Sequence, residues 1–253
     1  MSQRTDQYRF YAERLDKTAV ELSQAEAHHA RGVLRLSEGQ EVELFDGLGG
    51  LARGTLRLPG KRDALVEIRQ RESLSRPQPT ITLAFAVPKG KRLDWLLEKA
   101  TELGAGRLWP VEFARSVAAP ELSAHARQRW QAECIAAAKQ SGNNFLPEIL
   151  PPAALAKVLE GFSSARAAAG TGQGGLGILG QAGADRSLAQ VLANWPGEGE
   201  LLLVVGPEGG LTGQEQADCL EAGLAPACVG ANTLRIETAA IALLAGAGAC
   251  RRQ

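Results

Sequence analysis

The sequence predicts an α/β domain built on a mostly parallel sheet and preceded by a small β-barrel with one helix. Three observations lead there. From residue 80 onward, apolar strand-like runs alternate with helical patterns, the texture of a sheet wrapped by helices. Before residue 73 the pattern is short apolar alternation broken by glycine, which is strand and hairpin chemistry. Between the two, Ser73-Leu-Ser-Arg-Pro-Gln-Pro79 carries two prolines and few apolar groups, as a linker does. The predicted organisation is therefore a barrel over 1–72, a linker over 73–79 and the α/β domain over 80–253.

In the first segment the strands fall at Glu41-Val-Glu-Leu-Phe-Asp-Gly47, Gly54-Thr-Leu-Arg-Leu58 and Ala64-Leu-Val-Glu-Ile-Arg69. The one helix starts at Ser23, because Ser23-Gln-Ala-Glu26 has the form of a capping box and Ala25, His29, Val33 and Leu34 follow near helical spacing. In the second segment Ile81–Val87 reads as a buried strand. A helix over Arg92–Leu103 puts Leu93, Leu96, Leu97, Ala100 and Leu103 on one face, and Gly104 stands where a left-handed C-terminal cap belongs. A strand at Arg107-Leu-Trp-Pro-Val111 follows, then helices from about Ala124 to Gln140 and from about Leu188 to Asn194. Another begins after Thr212, where Thr212-Gly-Gln-Glu215 is a second capping box. The alanine-rich stretch Thr238 to Cys250 reads as a buried helix, too short and too often interrupted by glycine to cross a bilayer.

Composition excludes several classes of function. With 45% hydrophobic residues the 253-residue chain can build a real core. Basic and acidic residues number 28 each, so nothing global advertises a polyanionic partner, and a nucleic-acid surface must be a local patch. The four cysteines, Cys134, Cys219, Cys228 and Cys250, lack CxxC spacing and fit neither a disulfide scaffold nor a zinc ribbon. His28 and His29 are adjacent on a helix and point apart, with no further ligand cluster, so no metal site is expected. The polar opening Met1–Gln7 lacks the apolar stretch of a secretory signal, and the expected location is the cytoplasm, away from membranes.

Three segments could carry chemistry. Leu201-Leu-Leu-Val-Val205 runs straight into Gly206-Pro-Glu-Gly-Gly210, a buried strand feeding a glycine-rich turn. Ligands of open α/β sheets bind beyond the carboxyl ends of strands, where glycines let backbone approach closely. A binding loop and an ordinary strand-to-helix turn both fit, while a phosphate loop does not, since no Gly-Lys-Ser/Thr follows. Gly170-Thr-Gly-Gln-Gly-Gly175 matches a bare dinucleotide fingerprint, but Leu176-Gly-Ile-Leu179 after it reads as strand, not as the helix that would hold a pyrophosphate. In Val229-Gly-Ala-Asn-Thr-Leu-Arg-Ile-Glu-Thr-Ala239, Arg235 and Glu237 enter the last helix, either as functional charges or as a structural ion pair.

Taken in order, Lys99-Ala-Thr-Glu-Leu-Gly104, Arg115-Ser116, Gln140-Ser-Gly142, Gly206-Pro-Glu-Gly-Gly210 and Leu234-Arg-Ile-Glu-Thr-Ala239 resemble the ribosomal RNA small subunit methyltransferase E family. Arg9-Phe10, His29, Val33-Leu-Arg35 and Phe45-Asp-Gly47 are also similar to its pattern, so the resemblance spans nearly the whole chain. It implies a SPOUT-type α/β domain with a C-terminal trefoil knot behind a PUA-like β-barrel for RNA. It further implies a homodimer and S-adenosyl-L-methionine as cofactor. The activity implied is methylation of a uridine N3 atom in 16S rRNA of the small ribosomal subunit. Transfer to a ribose 2′-hydroxyl of tRNA or rRNA, and a non-catalytic RNA-binding role, stay open beside it.

On this resemblance the cofactor would be held by Leu179, Gly180, Gly206, Pro207, Glu208, Gly209, Gly210, Val229, Gly230, Thr233 and Leu234. Arg235 would stabilise negative charge developing on the uracil carbonyls, with Glu237 or Glu208 orienting it. Arg9, Arg35 and Arg115 are the candidates for RNA backbone contacts, with solvated surface charge as the alternative for each. The chain departs from the family pattern at Asn232 and at Asn143-Asn144, where arginines usually stand.

Overall fold

The computed structural model describes residues 8–116, 122–168, 175–193, 195–197 and 199–250, in two compact units. The first comprises residues up to 76 together with 138–146; the second holds 77–137 and everything from 147. The residues Gly170 to Gly174 of the dinucleotide-like pattern, Asn194 at the expected end of a helix, and Met1–Gln7 lie outside the described residues.

In the first unit five strands form one half-barrel sheet: β1 (Tyr8–Tyr11), β2 (Ala19–Glu21), β3 (Glu41–Phe45), β4 (Gly50–Arg57) and β5 (Leu65–Ser73), in the order β1-β3-β4-β5-β2. The β1–β3 pair is parallel and the others antiparallel. Phe10, Val20, Val42, Leu44, Leu56 and Val66 supply its core. Helix α1 (Gln24–His28) starts where the capping pattern puts it, with the Ser23 hydroxyl accepting from the Glu26 amide at 3.2 Å. Only half of the box forms, because the Glu26 carboxylate is taken by the Lys139 ammonium at 2.8 Å. The helix runs on into a π-turn, His29–Val33, whose Arg31 guanidinium donates to carbonyls of Gly60 and Asp63.

The second unit is a seven-stranded, wholly parallel sheet formed by β6 (Ile81–Phe85), β7 (Arg107–Glu112), β8 (Glu148–Ile149), β9 (Ala153–Ala154), β10 (Leu176–Gly180), β11 (Leu201–Val205) and β12 (Leu224–Ala227). The main path is β12-β10-β11-β6-β7-β8, with β9 on β7. Every residue of β6 and β11 is buried, as central strands of a sheet covered on both faces require. The helices are α2 (Lys91–Glu102), α3 (Ala124–Ser141), of which residues up to 137 belong to this unit, α4 (Leu155–Ala168), α5 (Leu188–Leu192), α6 (Gly213–Glu221) and α7 (Ile236–Ala249).

The helices divide between the faces. A side chain at Gly177 would strike Phe162 of α4, and one at Gly180 would strike Leu243 of α7. Positions three apart on a strand point to opposite faces, so α4 and α7 cover opposite sides. α2 and α5 pack on α7, and α6 packs on α4. On α2 the predicted face is buried at Leu93, Leu96, Leu97 and Ala100, while Leu103 is half-buried beyond the last turn. Gly104 takes φ 74°, as the left-handed cap demands. α4 was not anticipated; Leu155, Val158, Leu159 and Phe162 form its buried stripe.

Two local devices give checkable consequences. The β4–β5 pairing slips at Arg53/Gly54, and there a Cβ on Gly54 would lie 2.2 Å from the Glu67 carbonyl oxygen and 2.8 Å from Val66 Cγ1. Backbone cannot yield as a side-chain tip can, so Gly54→Ala is expected to cost about 1–3 kcal/mol in urea unfolding. At α6 the capping box is complete, Thr212 hydroxyl to Glu215 amide and Glu215 carboxylate to Thr212 amide. The same carboxylate accepts the Ala114 amide at 2.8 Å. Burial raises the Glu215 pKa, but hydrogen bonds from Thr212 and Ala114 and the charge of Arg115 outweigh it, leaving the pKa below its ordinary 4.5. Such a group stabilises the fold above the unfolded pKa and loses that contribution as pH falls through the folded value. Glu215→Gln should therefore flatten the pH dependence of unfolding as the pH falls below the ordinary carboxylate range.

Candidate functional site

The carboxyl ends of three strands stand in one row. Gly180 of β10 lies opposite Val205 of β11 on one side and Ala227 of β12 on the other. The chain leaves each end as a loop, and the three loops enclose a cavity of about 460 Å³. That volume suits a small molecule, and its position is where open parallel sheets bind ligands.

The predicted residues converge here. Leu179 and Gly180 form the first wall, Gly206, Pro207, Glu208 and Gly210 the second, and Val229, Gly230, Thr233 and Leu234 the third. Gly209 is in the second loop but not on the wall. The floor includes Leu243 of α7, which approaches so closely that a Cβ on Gly180 would sit 2.9 Å from its Cδ1. In the second loop Gly210 takes φ 69°, and its amide closes a turn on the Pro207 carbonyl at 2.8 Å. The third loop is anchored at its start by Cys228, whose amide donates to Arg186 O at 3.0 Å and whose carbonyl accepts from Leu188 N at 2.8 Å.

Charge is sparse at this cavity. Among the described residues that line it, only Glu208 and Arg235 are charged, and lysine is absent. Glu208 pairs with Arg92 at the start of α2, at 3.3 Å, with both side chains more than a third exposed. Such a pair is worth only ~0–1 kcal/mol and does not hold the loop. Arg235 is the N-cap residue of α7, exposed, and forms no ion pair among the described residues. Glu237, two residues on, is 7% exposed and lies behind the cavity wall rather than on it; its Oε2 has no hydrogen-bond partner among the described residues. No group of three or more His, Cys, Asp or Glu side chains among the described residues is placed to hold a metal, and no described helix is long and apolar enough to cross a membrane.

The three arginines expected at RNA do not share one environment. Arg9 is packed within the first unit, its guanidinium stacked 4.3 Å from the Phe45 ring, paired with Glu43 and donating to Asn143 O and Asn144 Oδ1. Arg35 is exposed, in a left-handed backbone conformation with φ 53°. Arg115, in the second unit, donates through Nη1 to the carbonyls of Gly209 at 3.1 Å and Leu211 at 3.3 Å. Gln181, at the end of the first loop as expected, is on the wall too, whereas sequence reasoning missed Leu211 and Gln216 there. Gln216 was within reach: it stands four residues after the Thr212 cap, on the same side of α6 as that cap and the loop before it.

Comparison with known proteins fits this geometry. Residues 75–247 match the model of an RNA methyltransferase domain, and residues 22–69 that of an RNA methyltransferase PUA domain. Ribosomal RNA small subunit methyltransferase E of Mycobacterium bovis is 30% identical over 88% of this chain and 83% of its own length. The Bacillus subtilis protein of the same name is 28% identical over 85% of this chain and 83% of its own. Among solved structures, that of the Neisseria gonorrhoeae enzyme of this name bound to S-adenosyl methionine has a TM-score of 0.80 and 29% identity, covering 94% of this chain and 95% of that one. With a parallel sheet whose loops enclose one cavity, an RNA methyltransferase domain over most of its length and a PUA domain before it, the chain belongs to the ribosomal RNA small subunit methyltransferase E family.

Proposed function

We propose that this protein transfers a methyl group from S-adenosyl-L-methionine to the N3 atom of a uridine in 16S rRNA of the small ribosomal subunit, in the cytoplasm and as a homodimer. The observation that carries the reading is the cavity at the row of β10, β11 and β12 ends, in a chain whose Neisseria gonorrhoeae relative is bound to that cofactor. The lining fits such a molecule. Apolar side chains and loop backbone suit an adenosine, and a wall whose single arginine is matched by a carboxylate, with no lysine, does not suit a polyphosphate. Glycine, proline and valine positions of the three loops, from Leu179 to Leu234, would hold it largely through backbone.

When bound, the cofactor supplies a methyl group already activated by sulfonium charge. What remains for the protein is to orient the base, exclude water and stabilise charge. As the N3 proton leaves, negative charge spreads onto the uracil carbonyls. Arg235, at the cavity and unpaired among the described residues, is the cation placed to receive it. Glu237 sits one residue beyond the start of α7, where its buried carboxylate would offset the positive end of the helix dipole and attract the Arg235 guanidinium. A base must leave its stack to enter, so the RNA target is single-stranded or distorted.

The trefoil knot belongs to the same proposal. Its support is the strand order: β12 lies at the edge beyond β10, and the chain from it returns as α7 to pack on β6, β10 and β11.

Nucleoside analysis of 16S rRNA tests the reaction. A deletion strain should lack 3-methyluridine and regain it on complementation with the parent gene; loss of a 2′-O-methyl nucleoside instead would replace the base by the ribose as target. Arg235→Ala should lower kcat by about 100-fold or more, the loss typical for removing one donor to a developing anion, with a much smaller change in cofactor affinity. Methylation at the parental rate would end the role given to Arg235. A monomeric mass by light scattering would likewise end the dimer.

A further inference from the structure

The glycine loop that forms the second wall of the cavity has two faces. Gly206, Pro207, Glu208, Gly210 and Leu211 touch the cavity, whereas Gly209 does not. Gly209 faces Arg115 instead: a Cβ on it would lie 3.3 Å from Arg115 Cβ. The Arg115 guanidinium takes the carbonyls of Gly209 and Leu211, at 3.1 and 3.3 Å. One residue earlier, the Ala114 amide donates to the Glu215 carboxylate at 2.8 Å, and the other oxygen of that carboxylate receives the Thr212 amide at 2.7 Å and its hydroxyl at 3.0 Å. The segment carrying both groups is itself fixed, with the Phe113 amide on the Ser116 hydroxyl at 3.2 Å and the Ser116 amide on the Phe113 carbonyl at 3.0 Å.

We propose that Arg115 and Glu215 are positioning residues that brace the Gly206–Thr212 loop from outside the cavity and so set its cofactor-facing backbone before the cofactor arrives. The inference rests on the methyl-donor reading of the cavity and extends it to two side chains that do not line it. Within the loop the only tie among the described residues is the turn from Gly210 N to Pro207 O. A glycine-rich segment held by one turn samples many conformations, and ordering it on binding weakens affinity. Arg115 removes two carbonyls from that freedom at mid-loop and Glu215 removes the exit. The arginine expected at the RNA backbone thus acts on the cofactor side, through the loop.

The test compares the parent with Arg115→Ala, Arg115→Lys and Glu215→Gln as full chains, each checked for its melting temperature. Calorimetry with S-adenosylmethionine should show Kd raised tenfold or more in Arg115→Ala and Glu215→Gln. In Glu215→Gln one of the two oxygens becomes an NH2 donor, so the positions that accept from Ala114 and from Thr212 cannot both be kept. Arg115→Lys, which can still donate to one carbonyl, should recover part of the affinity. In steady state the KM for the cofactor should rise with Kd, while the KM for RNA stays within twofold and kcat falls far less than the cofactor KM rises. A merely structural role would not separate these constants. Cofactor Kd within twofold of the parent in Arg115→Ala, with a raised RNA KM and a shallower salt dependence, would overturn the proposal and return Arg115 to the RNA. If Arg115→Ala does not fold, parental cofactor affinity in both Arg115→Lys and Glu215→Gln overturns it equally. A parent that binds no cofactor would instead bring down the reading of the cavity, and the brace with it.

Discussion

Parallel register is the constraint on which the site depends. Gly180 pairs across to Val205 and to Ala227, Val205 pairs on to Phe85, and Phe85 to Pro110, so the ends of four strands fall on one line that crosses β7 at Pro110. A parallel strand can be followed only by a crossover, which forces every outgoing loop to the same edge of the sheet. Three of those loops meet because β10 lies between β11 and β12. The fourth arrives for a simpler reason. β7 continues for two residues past the line, through Val111 and Glu112, and the turn Phe113–Ser116 reaches past β6 to the glycine loop of β11. The Ala86 amide on Val205 O, 2.9 Å, keeps β6 and β11 in step where this happens. A slip of one residue between β11 and β6 or between β6 and β7 would carry Arg115 away from Gly209 and Leu211.

The opposite end of the sheet shows what holds that register. Glu200, just before β11, accepts from Thr82 Oγ1 of β6 and from Arg107 Nη1 of β7, each at 2.9 Å. One carboxylate thereby ties three strands at their starts, a quarter exposed and sharing Arg107 with Glu148. At the carboxyl ends the side-chain ties run between the outgoing loops instead, from Arg115 to Gly209 and Leu211 and from Glu215 to Ala114.

How much of this was legible follows from the range of the interactions involved. α2, the strands β6, β7, β10 and β11 and the caps at Ser23 and Thr212 rest on neighbours within a few residues, and pattern reading finds them. α4 obeys the same rule at Leu155, Val158, Leu159 and Phe162, but it begins directly after the β9 pair and two prolines and dissolves into alanine, which hid its edges. The three walls of the cavity came from ordered motifs rather than from spacing. Arg9 and Arg115 were beyond reach, because what an arginine does depends on partners far along the chain. Arg9 meets residues 134 and 135 positions away, and Arg115 meets residues 94 and 96 positions away.

The two places where this chain has asparagine in place of the family's arginine now separate on physical grounds. Asn143 is a turn former: its Oδ1 accepts the Phe145 amide at 3.0 Å, which a guanidinium cannot do, and its carbonyl receives Arg9. An arginine there would open that turn and set a second cation beside one already packed on Phe45. Asparagine at 143 is thus matched to its surroundings within the first unit, whatever it forgoes at the RNA. Asn232 is different. It is exposed on the third loop, lines the cavity and forms no hydrogen bond or ion pair among the described residues, so no packing demand selects it over a cation. Its neutrality leaves Arg235 as the one positive side chain among the described residues at the cavity wall. On the proposed mechanism, stabilisation of an anionic base that a pair of arginines could divide would fall here on one, held at the N-terminus of α7, where the helix dipole adds positive potential of its own.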